Sequence, residues 1–306
     1  MKRPEPLDIF QPTSARAAIE MIKKNGPGGY LLAGGTDLII AIKEKGLVPR
    51  YLVDLKRIPS LSGIRESADG TVTLGALTTL REIETSPLIL RNYPFLAQSA
   101  AEVGSIQIRN RATVGGNMAN ATPSADVAPA LLALDARARI EGPRGEKTVP
   151  LEGFFVGPGK TVLTQGEILK ELMIPPPAPK LRGDYIKFSP REMMDLAVVG
   201  VAIVVVLDRD EQIGREARIA LGAVAPVPMR AKRAEVLLQG QPFSAGLADR
   251  VGEEAARECK PISDVRGSAE YRREMVRAMT KRILMNLWSD KGQRVPWIYR
   301  RERRYP

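Results

Sequence analysis

The chain carries one cysteine, Cys259, and no histidine among its 306 residues. No Ser-His or Cys-His nucleophile, imidazole base or imidazole metal ligand can be assembled from it. A single cysteine also rules out an internal disulfide, a cysteine-type zinc site and a cysteine-ligated iron–sulfur cluster. Demanding chemistry then falls to a bound cofactor, which the protein would hold and orient. Two segments have the composition to do so. The first is Leu31-Leu32-Ala33-Gly34-Gly35-Thr36-Asp37-Leu38, with its glycines where a strand gives way to a helix. Glycines there let a backbone approach a diphosphate, and free amides at a helix start favour an anion. The same residues also suit a plain tight turn with Thr36 or Asp37 as helix cap. The dinucleotide fingerprint GxGxxG is absent.

The second segment is Arg109-Asn110-Arg111-Ala112-Thr113-Val114-Gly115-Gly116-Asn117, continuing through Ala119-Asn120-Ala121-Thr122-Pro123-Ser124-Ala125-Asp126. Backbone amides here can wrap a polar ligand while Asn117 and Asp126 bond its hydroxyls. It reads equally as an irregular loop with Asx turns, Pro123 opening a helix that runs to Asp135.

The elements around these segments follow from their patterning. A helix from Ser14 to Asn25, a strand from Tyr30 to Ala33, a helix from about Thr36 to Lys45 and a strand from Tyr51 to Asp54 form a βαβ unit with parallel strands. Beyond it, Asp69-Gly70 turns one hairpin and Gly142 to Gly145 another after Arg137 to Glu141, giving an α+β fold. Pro175-Pro176-Pro177-Ala178-Pro179 is a semi-rigid linker and marks a domain boundary. Leu196 to Leu207 is too short to span a bilayer and reads as a buried strand, followed by a strand at Ala217 to Val224. Helices are expected at Met229 to Leu238, Ala245 to Glu258 and Ser268 to Trp288, with Cys259 a small helix residue. The domains are thus 1–177 in two lobes (about 1–57 and 58–177), 178–290, and a basic tail at 291–306.

The net charge of +11 invites a nucleic-acid reading, but Lys291, Arg294, Arg300, Arg301, Arg303 and Arg304 against Glu302 supply +5 of it. Such a tail, interleaved with Trp297, Tyr299 and Tyr305, suits an acidic partner subunit as well as RNA. Met1 to Gln11 lacks the apolar stretch of a signal peptide and no run reaches membrane-span length, so a cytoplasmic protein is expected.

Taken in order, the motifs resemble those of the FAD-binding medium subunit of the xanthine dehydrogenase, molybdenum CO dehydrogenase and 4-hydroxybenzoyl-CoA reductase family. Besides the glycine segments, the likeness rests on Leu74-Gly75-Ala76-Leu77, on Gly166-Glu167-Ile168-Leu169 through Ile174-Pro175, and on Lys187-Phe188 before Arg191 and Asp195 to Ala197. It continues in Gly222-Ala223-Val224-Ala225-Pro226-Val227-Pro228-Met229-Arg230 and Tyr271-Arg272-Arg273, covering about residues 5–286. The resemblance implies a two-lobed FAD-binding domain of the vanillyl-alcohol oxidase (PCMH) type, then a small antiparallel sheet with helices.

It also implies non-covalent FAD between the lobes, with Leu31 to Leu38 and Thr113, Gly115, Gly116 and Asn117 holding its diphosphate through backbone amides. Asp126 would bond ribityl or ribose hydroxyls, and Leu74, Leu169 and Lys187 would line the cleft. Arg109, Arg191 and Tyr271 match family positions but read as structural, and Met193 and Met194 as core fillers. No catalytic side chain and no metal ligand is expected. A large molybdopterin subunit and a small [2Fe-2S] subunit are implied, in a dimer of heterotrimers. FAD would pass electrons between the clusters and an external acceptor or donor. The one cysteine departs from the reductase branch, whose flavin subunit carries a [4Fe-4S] insert, and so favours a hydroxylase or dehydrogenase. Two rivals remain: a self-contained flavin oxidoreductase of the same fold, and a basic nucleic-acid-binding or scaffold protein.

Overall fold

The computed structural model describes residues 7–191, 194–211 and 213–289. The basic tail, and with it the basis of the nucleic-acid reading, lies outside them, as does Met193.

The first lobe is a three-stranded parallel sheet in the order β1 (Asp8–Phe10), β3 (Tyr51–Asp54), β2 (Gly29–Leu32). The expected parallel βαβ unit is present. Helix α1 (Ala15–Asn25) starts where the Ser14 hydroxyl accepts the Ala17 amide at 3.1 Å, and buries Ala15, Ala18, Ile19 and Ile22. Gly26, at φ 73°, ends it. Helix α2 (Leu38–Glu44) starts two residues later than expected, because Thr36 and Asp37 are spent in a turn, and it buries none of its residues.

The second lobe is a five-stranded antiparallel sheet. Its order is β4 (Ile64–Glu66), β5 (Val72–Gly75), β10 (Ile168–Ile174), β6 (Arg137–Gly142), β7 (Gly145–Pro150). Both expected hairpins are there, the first turning at Gly70 with φ 82°. A small ladder, β8 (Phe155–Gly157) with β9 (Lys160–Thr161), stands apart. Around the large sheet lie α3 (Leu80–Thr85), α4 (Pro87–Asn92), α5 (Pro94–Ala101), α6 (Ile106–Arg109), α7 (Val114–Asn120) and α8 (Val127–Ala133). The second glycine segment is therefore neither a wrap nor a loop throughout. Its centre is a helix, because the Thr113 hydroxyl accepts the Gly116 amide at 3.1 Å and caps it, and Ala121, at φ 48°, ends it. Pro123 does not open α8, which begins at Val127.

The C-terminal domain is an antiparallel sheet, β11 (Leu181–Phe188), β12 (Val199–Leu207), β13 (Gly214–Gly222) and β14 (Met229–Arg230), covered by α9 (Lys232–Leu238), α10 (Ala245–Glu258) and α11 (Ala269–Ser289). All nine residues of β12 are buried, yet the strand starts at Val199 and Leu196 is 55% exposed. The expected helix at Met229 is also corrected. Met229 and Arg230 pair with Leu221 and Ala220, and the buried Glu235 carboxylate locks this arrangement by accepting from both Arg230 (2.6 Å) and the Ile219 amide (2.9 Å). Cys259 caps α10 rather than lying within it, and burial raises the pKa of its thiol. Across the proline linker one face of the C-terminal sheet joins the flavin domain's core, with Tyr185, Ala202, Val204 and Ala220 in the same cluster as Leu96, Leu131 and Leu172, while the other face forms its own cluster with α9, α10 and α11 around Val201, Ile203 and Ile219.

Candidate cofactor cleft

The two glycine segments, about eighty residues apart in sequence, meet in space. A Cβ built on Gly34 would sit 2.1 Å from the Arg111 carbonyl oxygen, and one on Gly115 would sit 2.5 Å from Ala76 Cβ. Only glycine allows either backbone approach. Their junction opens into a cavity of about 660 Å³. Small-molecule and cofactor pockets occupy roughly 300–1,000 Å³.

The first lobe contributes Tyr30, Leu31, Ala33, Gly34, Gly35, Thr36, Asp37 and Leu38 to the wall. Gly35 has φ 81°, a left-handed conformation that turns the chain into α2. The amides of Gly34, Gly35 and Thr36 donate no backbone hydrogen bond among the described residues, so they are available to an anion. The opposite wall differs from expectation. There the Val114 amide donates to Thr78 O, Gly115 to Ala76 O, Gly116 to the Thr113 hydroxyl and Asn117 to Thr113 O, at 2.9–3.1 Å. These amides are taken by the fold. What Thr113, Gly115, Gly116 and Asn117 offer the cavity is a bare backbone surface and one side chain. The Asn117 Oδ1 atom is buried without a hydrogen-bond partner among the described residues, an acceptor that a ligand donor would satisfy.

Asp126 is 7% exposed and stands in the wall. Its Oδ1 accepts from the Tyr185 hydroxyl at 3.0 Å and its Oδ2 from Lys187 Nζ at 2.9 Å. Burial pushes its pKa up to about 6, with Lys187 and Tyr185 pulling the other way and Glu102 adding to the rise. Burial and the neighbouring Asp126 likewise raise the Tyr185 hydroxyl well above its ordinary value.

The other expected residues separate. Leu169 lines the cavity, beside a register shift between β10 and β6 that re-aims the strand. Leu74 is fully buried in the core behind the wall, Leu32 lies on β2 outside it, and Lys187 spends its ammonium on Asp126 and on Glu102 O (2.9 Å). Arg109 is structural: buried, it grips Glu84 at 2.8 and 3.2 Å and holds the carbonyls of Val103 and Gly104 at the cavity wall. Arg191 pairs with Asp195 at 3.2 Å on the surface, and Tyr271 packs edge-on against Phe188. Met194 is not a core filler. At φ 56° the backbone turns outward, leaving the side chain 63% exposed, and Met194, Asp195 and Leu196 join the cavity wall. Leu77 of the Leu74-Gly75-Ala76-Leu77 motif and Tyr30 also line it, as do Leu55, Val103, Gly104 and Ile108, which the sequence did not single out.

A cavity of this size, with free amides on a glycine turn and an unpaired buried acceptor opposite, fits an extended cofactor that carries phosphates and hydroxyls. FAD answers that description.

Comparison with known proteins gives the class a family. Residues 5–177 match the family described as the FAD binding domain in molybdopterin dehydrogenase, and residues 184–287 match the CO dehydrogenase flavoprotein C-terminal domain. The chain is 35% identical to the xanthine dehydrogenase FAD-binding subunit of Escherichia coli O157:H7, over 87% of this chain and 91% of the relative. It is 34% identical to the carbon monoxide dehydrogenase medium chain of Hydrogenophaga pseudoflava, over 94% and 98%. Among solved structures, carbon monoxide dehydrogenase from that organism superposes with a TM-score of 0.89 at 34% identity, covering 94% of this chain and 99% of the other. Quinoline 2-oxidoreductase from Pseudomonas putida 86 gives 0.87 at 29%, with the same coverage. The chain belongs to the FAD-binding medium subunits of the xanthine dehydrogenase and CO dehydrogenase family, and is an oxidoreductase subunit. Among the described residues no helix is long and apolar enough to cross a membrane, and no cluster of metal-ligating side chains occurs.

Proposed function

We propose that this chain is the electron-transfer flavoprotein of a cytoplasmic molybdenum hydroxylase, working beside a large molybdopterin subunit and a small [2Fe-2S] subunit in a dimer of heterotrimers. Bound FAD exchanges electrons singly or in pairs, which suits a station between one-electron clusters and a two-electron external acceptor or donor. The chain's own residues would bind and orient it. Gly34, Gly35 and Thr36 offer amides to the diphosphate, with Ala33, Asp37 and Leu38 shaping the same turn between Leu31 and Leu32 on one side and α2 on the other. Thr113, Gly115 and Gly116 give a surface bare enough for close approach. Asn117 and Asp126 meet hydroxyls, Leu169 packs against the ligand, and Leu74 and Lys187 act from behind the wall. No general acid or base is needed for such a role.

The observation that carries this reading is the match along nearly the whole chain to a CO dehydrogenase medium chain, centred on a cleft that fits FAD. The test is to purify the complex with wild-type chain and with Gly116→Trp, whose indole would fill the cleft. The wild type should release FAD on heating and reduce its external acceptor. The variant complex should lack FAD and fail to reduce the acceptor, while substrate still bleaches the iron–sulfur absorption. Unchanged acceptor reduction by a flavin-free complex would overturn the proposal. Substrate turnover by the isolated chain would instead support a self-contained oxidoreductase.

A further inference from the structure

We propose that Tyr185 is a positioning residue of the cofactor site: from the C-terminal domain, its hydroxyl sets the orientation and charge of Asp126 on the cleft wall. The inference rests on Asp126 being a cofactor ligand, as proposed above. Tyr185 is fully buried and lies outside the cavity wall, so it acts through its neighbour and not on the ligand. Its phenol donates to Oδ1 of Asp126 at 3.0 Å while Lys187, two residues along the same strand, donates to Oδ2 at 2.9 Å. With one donor on each oxygen the carboxylate plane is fixed, and the remaining lone pairs are left for ligand hydroxyls.

The surroundings are shaped to keep the phenol in place. A Cβ on Gly200 of the neighbouring strand would lie 3.2 Å from the Tyr185 hydroxyl, so glycine there clears the space it occupies. Gln98 of α5 donates to the Tyr185 carbonyl at 2.6 Å and ties the strand to the FAD-binding domain. The charged groups around Asp126 are Lys187 on β11 and Glu102 at the end of α5. A phenol hydrogen bond favours the ionised carboxylate, so its loss raises the pH at which Asp126 takes up a proton. Protonation spends one oxygen as a donor and weakens acceptance from ligand hydroxyls.

The experiment strips flavin from the full chain and measures FAD affinity against pH for wild type, Tyr185→Phe, Asp126→Asn and Tyr93→Phe. Tyr93 is the control, a buried phenol bonded to the Pro175 carbonyl and outside the cleft wall. Wild-type affinity should fall as pH drops through the Asp126 titration. In Tyr185→Phe that midpoint should rise by about one pH unit, the scale of one hydrogen bond to a charged group. Asp126→Asn should flatten the profile and Tyr93→Phe should leave it in place, whatever either does to melting temperature. A Tyr185→Phe profile superimposed on wild type, with Asp126→Asn flattened, overturns the positioning role alone. An unchanged profile in Asp126→Asn overturns the ligand role of Asp126, and the inference with it.

Discussion

Replacing Gly34 with alanine adds one methyl group at the point where the two glycine segments touch. The new carbon would lie 2.1 Å from the Arg111 carbonyl oxygen, 2.8 Å from its carbon and 3.0 Å from Ala112 Cα. Ordinary contact begins near 3.4 Å, so one backbone must retreat by about 1.3 Å, and no flexible side chain can give way instead. Overpacking of this kind costs about 1–3 kcal/mol, and a rigid backbone obstacle places it near the upper end. At roughly 2 °C per kcal/mol for a chain of this length, the flavin-free protein should melt about 5 °C lower. Displacing the turn by that distance would also break the hydrogen bonds that its amides are proposed to give a charged phosphate, each about 1.5–3 kcal/mol, so FAD affinity should fall at least roughly tenfold. Calorimetry of the stripped chain and an FAD titration read the two effects separately. Gly246→Ala makes the same chemical change in the first turn of α10 with nothing within 4 Å of the new carbon. It should stabilise by about 0.4–1 kcal/mol, by reducing the freedom of the unfolded chain, without altering affinity. If Gly34→Ala melted and bound FAD like wild type, the claim that this approach shapes the cleft would be refuted.

Three further outcomes follow from the geometry. Glu84→Gln strips the buried Arg109 guanidinium of its carboxylate partner; urea unfolding should show a loss of about 3–5 kcal/mol, and FAD affinity should fall too, since Arg109 holds the Val103–Gly104 carbonyls at the wall. The Asp264 carboxyl, hydrogen-bonded by Arg266 and beside Arg272, is held down to about 2. A depressed carboxylate stabilises above its unfolded value and loses that contribution as pH falls through the folded one, so Asp264→Asn should melt lower at pH 7 and converge with wild type toward pH 2. Gly222→Ala, whose Cβ would meet Pro129 Cγ at 2.8 Å across the domain junction, should lower the melting temperature by a few degrees and leave the pH profile of FAD binding unmoved.

The sequence was legible wherever local chemistry decides the outcome. The parallel unit from Ser14 to Asp54, both hairpins and the buried β12 all announce themselves through caps, turn residues and apolar runs. Met229 and Arg230 did not, because a clamp from Glu235 overrides their helical surroundings, and that carboxylate is recognisable only in three dimensions. The site divides the same way. The Gly34-Gly35 turn was visible from composition, whereas the occupied amides of Val114 to Asn117 depend on acceptors at Ala76, Thr78 and Thr113 that no spacing reveals. Met194 looked like filler since hydrophobicity says nothing about a left-handed turn. Tyr185 went unnoticed because its partner lies 59 residues away in another domain.

The cluster that crosses the junction between the two domains has a consequence for how the protein comes apart. Tyr185, Ala202, Val204 and Ala220 would face water if residues 1–177 were severed from the rest, and so would their neighbours on α5 and α8. The two matched segments should therefore unfold as one unit of cooperativity. Heating should give a single transition whose van't Hoff and calorimetric enthalpies agree, and neither segment expressed alone should reach the native state. A lineage could exchange the C-terminal sheet for another only by repacking the flavin domain's interior at the same time.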